Sequence, residues 1–133
     1  MEVCLERVLG RTSVRGLATH PTEGYVATLA GAVVVVTEPG SGHQVAYLKT
    51  PDNTALASVA WSSDGERIAA AEKPRMRKRR RAGSRKNMPD MPRIVIWDWA
   101  SGEVEAIIDP RAAEVTAICW SPTHPILATL TSV

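Results

Sequence analysis

The sequence contains no phenylalanine, only two cysteines and no long apolar segment. Cys4 and Cys119 lie far apart, without a CxxC pair, so neither a disulfide framework nor a zinc site is indicated. The longest apolar run, Leu29 to Val36, has eight residues, too few to span a membrane. The first residues also lack the basic and apolar regions of a secretion signal. We therefore expect an intracellular protein without membrane contact.

Motifs of enzymes are scarce as well. There is no Gly-x-Ser-x-Gly elbow and no phosphate-binding loop, since Gly40-Ser41-Gly42 is not followed by Gly-Lys-Ser/Thr. The three histidines, His20, His43 and His124, fall in turns, where we expect them to be solvated. The sequence therefore predicts no catalytic residue, no metal ligand and no cofactor, and we expect that the chain is not an enzyme.

The formal net charge is only +2, but the charges are unevenly distributed. The window from Lys73 to Pro92 holds nine basic residues and one acid, a net charge of +8. The other 113 residues hold seven basic and thirteen acidic side chains, a net charge of −6. The small mean charge therefore conceals an acidic body with a basic insertion.

The sequence also repeats itself. A pair of apolar residues three positions apart, followed two positions later by Thr or Trp, occurs three times at offsets of 42 and 59 residues. A turn containing Pro or Gly and a second apolar run follow each copy at the same offsets. The three copies are Val14-x-x-Leu17-x-Thr19 with 26–29, Leu56-x-x-Val59-x-Trp61 with 68–71, and Val115-x-x-Ile118-x-Trp120 with 127–130. Such short runs between turns predict β-strands.

A third and a fourth run follow in the first two copies. Residues 34–36 align with 94–96, and 46–48 with 106–108, now at an offset of 60. The change from 42 to 60 places 18 additional residues between the second and third strands of the second copy. The basic insertion lies there.

Units of about 42 residues with four short strands are expected for the blades of a β-propeller. The predicted fold is all-β, a partial propeller of about two and a half four-stranded blades. Its parts are a lead-in with an outer strand (1–13), repeat one (14–55), repeat two (56–114) with the basic insertion (73–92), and a truncated repeat three (115–133). Because propellers close with about four to eight blades, we expect a fragment whose partners include the absent blades of the same propeller.

The strand Ile94-Val95-Ile96-Trp97-Asp98 ends in a Trp-Asp pair, and two first strands run into Trp61-Ser62-Ser63-Asp64-Gly65 and Trp120-Ser121-Pro122. With these motifs the chain resembles the WD40-repeat proteins, and the resemblance implies WD40-type blades. Trp97 and Asp98 are then the structural WD signature. The usual Gly-His pair before the first strand is absent, because Asp52 and Arg111 stand four residues before Leu56 and Val115. The hydrogen-bond network that family members often build is therefore in question at Asp98.

A narrower likeness is carried by Leu5–Gly10, Gly16-Leu17 and Leu29–Val35. This part resembles the start of the mitogen-activated-protein-kinase-binding and spindle-pole WD scaffolds, and ciliary WD proteins are almost as similar. The resemblance implies a protein-binding scaffold for kinase signalling or for microtubule, spindle or ciliary assembly. It also implies a cytoplasmic, possibly cytoskeletal, location. No docking residue can be transferred, because the regions that give those scaffolds their identity lie outside this chain.

Four tryptophans without any phenylalanine are an unusual aromatic balance. Trp61, Trp97 and Trp120 occupy repeat positions that pack between blades. Trp99 follows the WD signature at the start of a turn, and two placements stay open for it. Its ring either covers the turn or lies exposed at a blade edge as an aromatic contact for a protein partner.

The basic insertion is the second candidate site. Its charges have the density of a nuclear-localisation or acidic-partner patch, and the patch comprises Arg77, Lys78, Arg79, Arg80, Arg81, Arg85 and Lys86. No aromatic residue is interleaved, so base stacking is not indicated. A solvated surface insertion, a contact with an acidic partner and weak nucleic-acid binding all remain open.

These observations together predict a protein-interaction module of a larger scaffold, with other proteins as partners. The alternative is a nuclear or nucleic-acid-associated adaptor that acts through the insertion. A truncated product without function is the third interpretation.

Overall fold

A computed structural model describes residues 16–75 and 91–132. In these two ranges the chain forms ten β-strands and no helix. None of the described residues therefore forms a helix long and apolar enough to cross a membrane. The predicted outer strand within 1–13 lies outside the described residues, as does most of the basic insertion.

The first sheet contains four antiparallel strands in the order of the chain: β1 (Leu17–Thr19), β2 (Val26–Ala30), β3 (Val33–Thr37) and β4 (Gln44–Lys49). The β2–β3 connection is a two-residue hairpin at Gly31, which has a φ of 62°. Glycine adopts this left-handed conformation without a steric penalty, which explains the tight turn.

The second sheet has the same topology and contains β5 (Leu56–Trp61), β6 (Arg67–Glu72), β7 (Ile94–Asp98) and β8 (Glu103–Ile108). β6 and β7 remain in register across the insertion, since Ala71 pairs with Ile94. The insertion therefore enters and leaves the sheet without disturbing its ladder.

The third sheet has two described strands, β9 (Glu114–Trp120) and β10 (Leu127–Ser132), which pair antiparallel. These three sheets confirm the all-β class and are consistent with partial WD40 propeller blades, because each complete sheet has four consecutive antiparallel strands.

Apolar side chains between the sheets form two cores. The larger core lies between the first and second sheets and includes Leu29, Val34, Leu48, Ile68 and Trp97. The smaller core packs the other face of the second sheet against β9. Since β7 contributes to both cores, an uninterrupted apolar strand is favoured at this position rather than an alternating one.

The outer strands differ between the two complete sheets. Leu48 of β4 is buried, whereas all six residues of β8 are exposed. Among the described residues, β9 and β10 cover β7 but no strand lies opposite β8. Ile107 and Ile108 therefore present apolar surface.

Candidate protein-interaction site

Four aromatic rings connect the first and second sheets at one end of their strands. The His20 ring lies 4.9 Å from Trp61, and the Trp99 ring lies 5.4 Å from Trp61 and 5.0 Å from Tyr25. Most pairs meet edge to face, an arrangement favoured by the ring quadrupoles. Turns of both sheets are thereby held together.

His20 is buried, with 8% of its surface exposed, so the expectation that the turn histidines are solvated is wrong for this residue. Its Nδ1 accepts hydrogen bonds from the backbone N–H groups of Thr22 and Glu23, at 3.2 and 3.0 Å. The ring therefore closes the β1–β2 turn and also packs against tryptophan. His43 and His124 are exposed, as expected.

The repeat alignment contained a signal for this role. His20 aligns with Ser62 and Ser121 at the same offsets of 42 and 59 residues. The Ser121 hydroxyl accepts hydrogen bonds from the N–H groups of Thr123 and His124, in the manner of His20 Nδ1. A turn-capping acceptor is therefore required at this position, and imidazole supplies it in the first repeat.

Trp99 is half-buried, and its ring covers the β5–β6 turn. Its Nε1–H donates a hydrogen bond of 2.8 Å to the carbonyl oxygen of Gly65, and the ring packs against the larger core. Of the two placements considered from the sequence, the structure shows the ring over a turn. The ring still forms part of the surface, because it lines a cleft between the two sheets.

This cleft has a volume of about 430 Å³. Its walls come from the β1–β2 turn, the β5–β6 turn and the residues that follow β7. They comprise His20, Thr22, Glu23, Asp64, Gly65, Glu66, Asp98, Trp99 and Ala100. Four of these nine residues are acidic and none is Lys or Arg, so the cleft is an anionic surface with an aromatic wall.

The carboxylates of Asp64 and Asp98 are held by their own turns. Asp64 Oδ1 accepts hydrogen bonds from the Ser62 hydroxyl at 2.5 Å and from the Glu66 N–H at 3.0 Å. These bonds, with a smaller contribution from the charge of Arg67, lower the pKa of Asp64 below its ordinary value. Asp64 is therefore ionised at neutral pH.

Asp98, the acid of the WD signature, bonds to local backbone. Its Oδ1 accepts hydrogen bonds from the N–H groups of Ala100 and Ser101, at 3.1 and 3.3 Å. Its printed partners are thus groups of its own turn, where a short acidic side chain stabilises the chain reversal. Trp97 is almost fully buried in the larger core.

Arg67 lies on the side of Asp64 away from the cleft. Its Nε donates a hydrogen bond of 2.6 Å to Glu105 of β8, and its Nη1 lies 3.7 Å from Asp64 Oδ2. The bond to Glu105 is the main reason that the pKa of Arg67 is raised. Because this guanidinium is already paired, it leaves the cleft anionic.

A second, smaller groove lies where the first strands of the three sheets approach one another. It has a volume of about 250 Å³ and is lined by Thr19, Pro21, Trp61, Ser62, Ser63, Trp120, Ser121 and Pro122. The indole N–H groups of Trp61 and Trp120 donate hydrogen bonds of 3.3 Å to the carbonyls of Ala18 and Ala60. Each tryptophan thus bonds to the first strand of the preceding sheet.

The predicted basic patch, Arg77 to Arg81 with Arg85 and Lys86, lies outside the described residues. Its two ends are described and emerge after β6 and before β7. The cleft beside Trp99 lies at the opposite end of these strands. No group of three or more His, Cys, Asp or Glu residues in the described ranges is arranged to hold a metal ion.

Comparison with protein-family models finds no match for this chain. It is 42% identical over 72 residues to WD repeat-containing protein 62 of Sus scrofa and of Mus musculus, over 53% of this chain. It is 32% identical over 101 residues, 74% of this chain, to mitogen-activated protein kinase-binding protein 1 of Mus musculus and of Homo sapiens.

The chain spans only 5% or 6% of the length of these relatives. The aligned regions nevertheless cover half to three quarters of the chain itself. They agree with the Trp-Asp signature and with the repeated four-stranded sheets. The chain is a WD40-repeat protein that resembles WD repeat-containing protein 62 and mitogen-activated protein kinase-binding protein 1.

Proposed function

We propose that this chain acts as a non-catalytic scaffold module that binds a protein partner in the cleft beside Trp99. Its WD-repeat relatives support a role in protein–protein interaction in general. The cleft itself carries the finer proposal, because an aromatic wall and four carboxylates meet there at the junction of two sheets.

The chemistry of the cleft suggests the kind of partner. A Lys or Arg side chain is attracted both by carboxylates and by the face of a tryptophan ring. Glu23 and Glu66 are exposed on opposite walls, while Asp64 and Asp98 are fixed by their turns. We therefore propose a basic peptide segment of a partner protein as the occupant.

The biological setting is also a proposal. One relative is named for binding mitogen-activated protein kinase, and a kinase-signalling scaffold is the assignment that this name supports for the chain. Assembly at microtubules, the spindle or the cilium, with a cytoplasmic or cytoskeletal location, rests on the family resemblance. These settings predict different partners for the same surface.

Calorimetric titration with two blocked peptides of equal length, one rich in Arg and one rich in Glu, tests the cleft. We expect the Arg peptide to bind and the Glu→Gln double variant at Glu23 and Glu66 to weaken binding about three- to tenfold. The matched control replaces two exposed carboxylates elsewhere, Glu103 and Glu114, by Gln. Equal weakening by both double variants would show general charge attraction and reject the cleft.

A second candidate function is a nuclear or nucleic-acid-associated adaptor, which the charge of the insertion favours. Clustered Lys and Arg residues displace counterions from phosphate, so such binding weakens steeply with salt. Replacing residues 76–90 by a short Gly-Asn linker removes that charge and leaves the described residues in place. Salt-sensitive RNA affinity that disappears with this replacement would support the adaptor, while unchanged peptide binding would support the scaffold.

A further inference from the structure

The two ends of the basic insertion contact the same turn of the protein. Arg75 stands on the outgoing arm and Arg93 on the returning arm, and both guanidinium groups reach residues 50–55, the turn that joins the first sheet to the second. These contacts lie at the end of the strands opposite the cleft. They are independent of the partner-binding site proposed above.

Arg93 is bound on two sides. Its backbone N–H and its Nε donate hydrogen bonds of 3.0 and 3.3 Å to Glu72 Oε2, and its Nη2 donates one of 3.1 Å to Glu72 Oε1. The same Nη2 also bonds to the carboxylate of Asp52. These acceptors, with Glu72 contributing most, raise the pKa of Arg93. Glu72 is buried, with only 3% of its surface exposed, so its charge depends on this arginine.

Arg75 completes the arrangement from the other arm. Its guanidinium donates two hydrogen bonds to the hydroxyl of Thr54 and one of 3.3 Å to the backbone carbonyl of Asp52. Thr54 is buried, and its carbonyl accepts a hydrogen bond of 3.1 Å from the Thr50 hydroxyl. The turn therefore presents an ordered set of acceptors to both arginines.

Backbone hydrogen bonds follow the same path. The Lys73 N–H donates to the Ala55 carbonyl at 2.8 Å, and the Glu72 N–H donates to the Arg93 carbonyl at 2.9 Å. Asp52 stands four residues before Leu56, the position at which the Gly-His pair of many WD repeats is absent here. An ionic network thus occupies this end of the second sheet.

We propose that Asp52, Thr54, Glu72, Arg75 and Arg93 form a clasp that fixes both arms of the insertion to the junction of the first two sheets. Because one turn binds both arms, the insertion is attached as a rigid extension of the junction. Loosening either arginine exposes the turn as well as the arms. The clasp is thus a conformational device that couples the root of the insertion to the inter-sheet junction.

Hydrogen exchange followed by mass spectrometry on the whole 133-residue chain tests this coupling. Arg93→Gln is expected to speed amide exchange about tenfold in the arms 72–75 and 91–94 and also in the turn 50–56. Thr54→Val removes the acceptor of Arg75 and should speed exchange in the same segments. The matched control is Arg111→Gln, four residues before Val115 in the equivalent turn of the second sheet, and it should leave those segments unchanged.

Faster exchange confined to one arm, with the turn unaffected, would overturn the proposal. Because Arg93→Gln leaves the buried Glu72 carboxylate without its partner, the double variant Arg93→Gln with Glu72→Gln is measured beside it. That variant keeps a neutral hydrogen-bonding pair and should preserve the fold. If its exchange in all three segments equals that of the wild type, the ionic clasp is not what fixes the arms, and the proposal fails.

Discussion

A single position after the first strand shows how one residue serves both a turn and a core. His20, Ser62 and Ser121 occupy equivalent places, but only His20 also packs a ring against Trp61 and Trp99. A pattern of residue types predicts the turn, because any acceptor there can bind the free N–H groups. The ring contacts were not predictable, because they depend on a turn 42 residues away in the sequence.

Gly65 is the residue against which His20 packs, and it tolerates no side chain. Its φ is 75°, and an added Cβ would lie 2.1 Å from His20 Nε2. Gly40 has a similar φ of 84° with open space around it, which makes Gly40→Ala the matched control. We expect Gly65→Ala to lower the free energy of unfolding by about 1 to 3 kcal/mol more than Gly40→Ala. Denaturant titration measures both, and equal losses would contradict this packing.

The two neighbouring tryptophans should separate stability from binding. Trp97 has 1% of its surface exposed, so Trp97→Ala is expected to cost about 3 to 5 kcal/mol of unfolding free energy. Trp99→Phe keeps a ring at the cleft and loses the bond to Gly65, a cost of about 1 kcal/mol. Urea unfolding and peptide titration should therefore rank the variants differently. Equal destabilisation by both substitutions would refute this division.

Asp64 gives the cleft a defined response to acid. Its pKa is lower in the folded chain than its ordinary value of 3.8, so the folded state favours the ionised form. This contribution to stability is present above pH 3.8 and is lost as the pH falls through the lower folded value. Asp64→Asn should therefore flatten the melting temperature against pH below 3.8. An unchanged acid slope would show that other carboxylates dominate.

At the scale of strands, the repeated pattern predicts most of what the structure shows. The ladder irregularity between Val36 and Thr37 recurs between Ile96 and Trp97, so the two complete sheets match even in their β-bulges. Apolar runs predict such strands because both faces of β3 and β7 are covered. The exposure of β8 was not predictable, since it depends on which strands lie opposite it rather than on its own sequence.

The insertion can be tested as an element in its own right. Replacing residues 76–90 by a short Gly-Asn linker should change the melting temperature by no more than a few degrees, because loop length adds only about 0.6 kcal/mol per doubling. Replacing 73–92 instead removes the Lys73 N–H bond, the Arg75 contacts and the buried Pro92, and should lower it further. Differential scanning calorimetry compares the two replacements. A large loss with the shorter one would mean that the charged residues themselves support the fold.

At the scale of the whole molecule, turns from different repeats create the surfaces of interest. Glu23 belongs to the first repeat and Asp64 and Asp98 to the second, so their meeting in one cleft depends on how the sheets stack. The clasp likewise joins Asp52 to Arg93, 41 residues later. Charge counting from the sequence identified an acidic body and a basic insertion. It could not place them, because sheet packing decides which turns share an end.

The last prediction concerns association of the 133-residue polypeptide expressed alone. Among the described residues β10 pairs only with β9, and Leu130 is 61% exposed along that edge. An open strand edge beside apolar surface favours pairing with another molecule. Sedimentation velocity should therefore show a weight-average mass that rises with concentration, and Leu130→Lys should reduce this rise because an edge charge opposes pairing. Val45→Lys, at a similarly apolar and exposed position of the complete first sheet, is the control and should have a smaller effect. A concentration-independent monomer would mean that the β10 edge is protected by residues outside the described ranges.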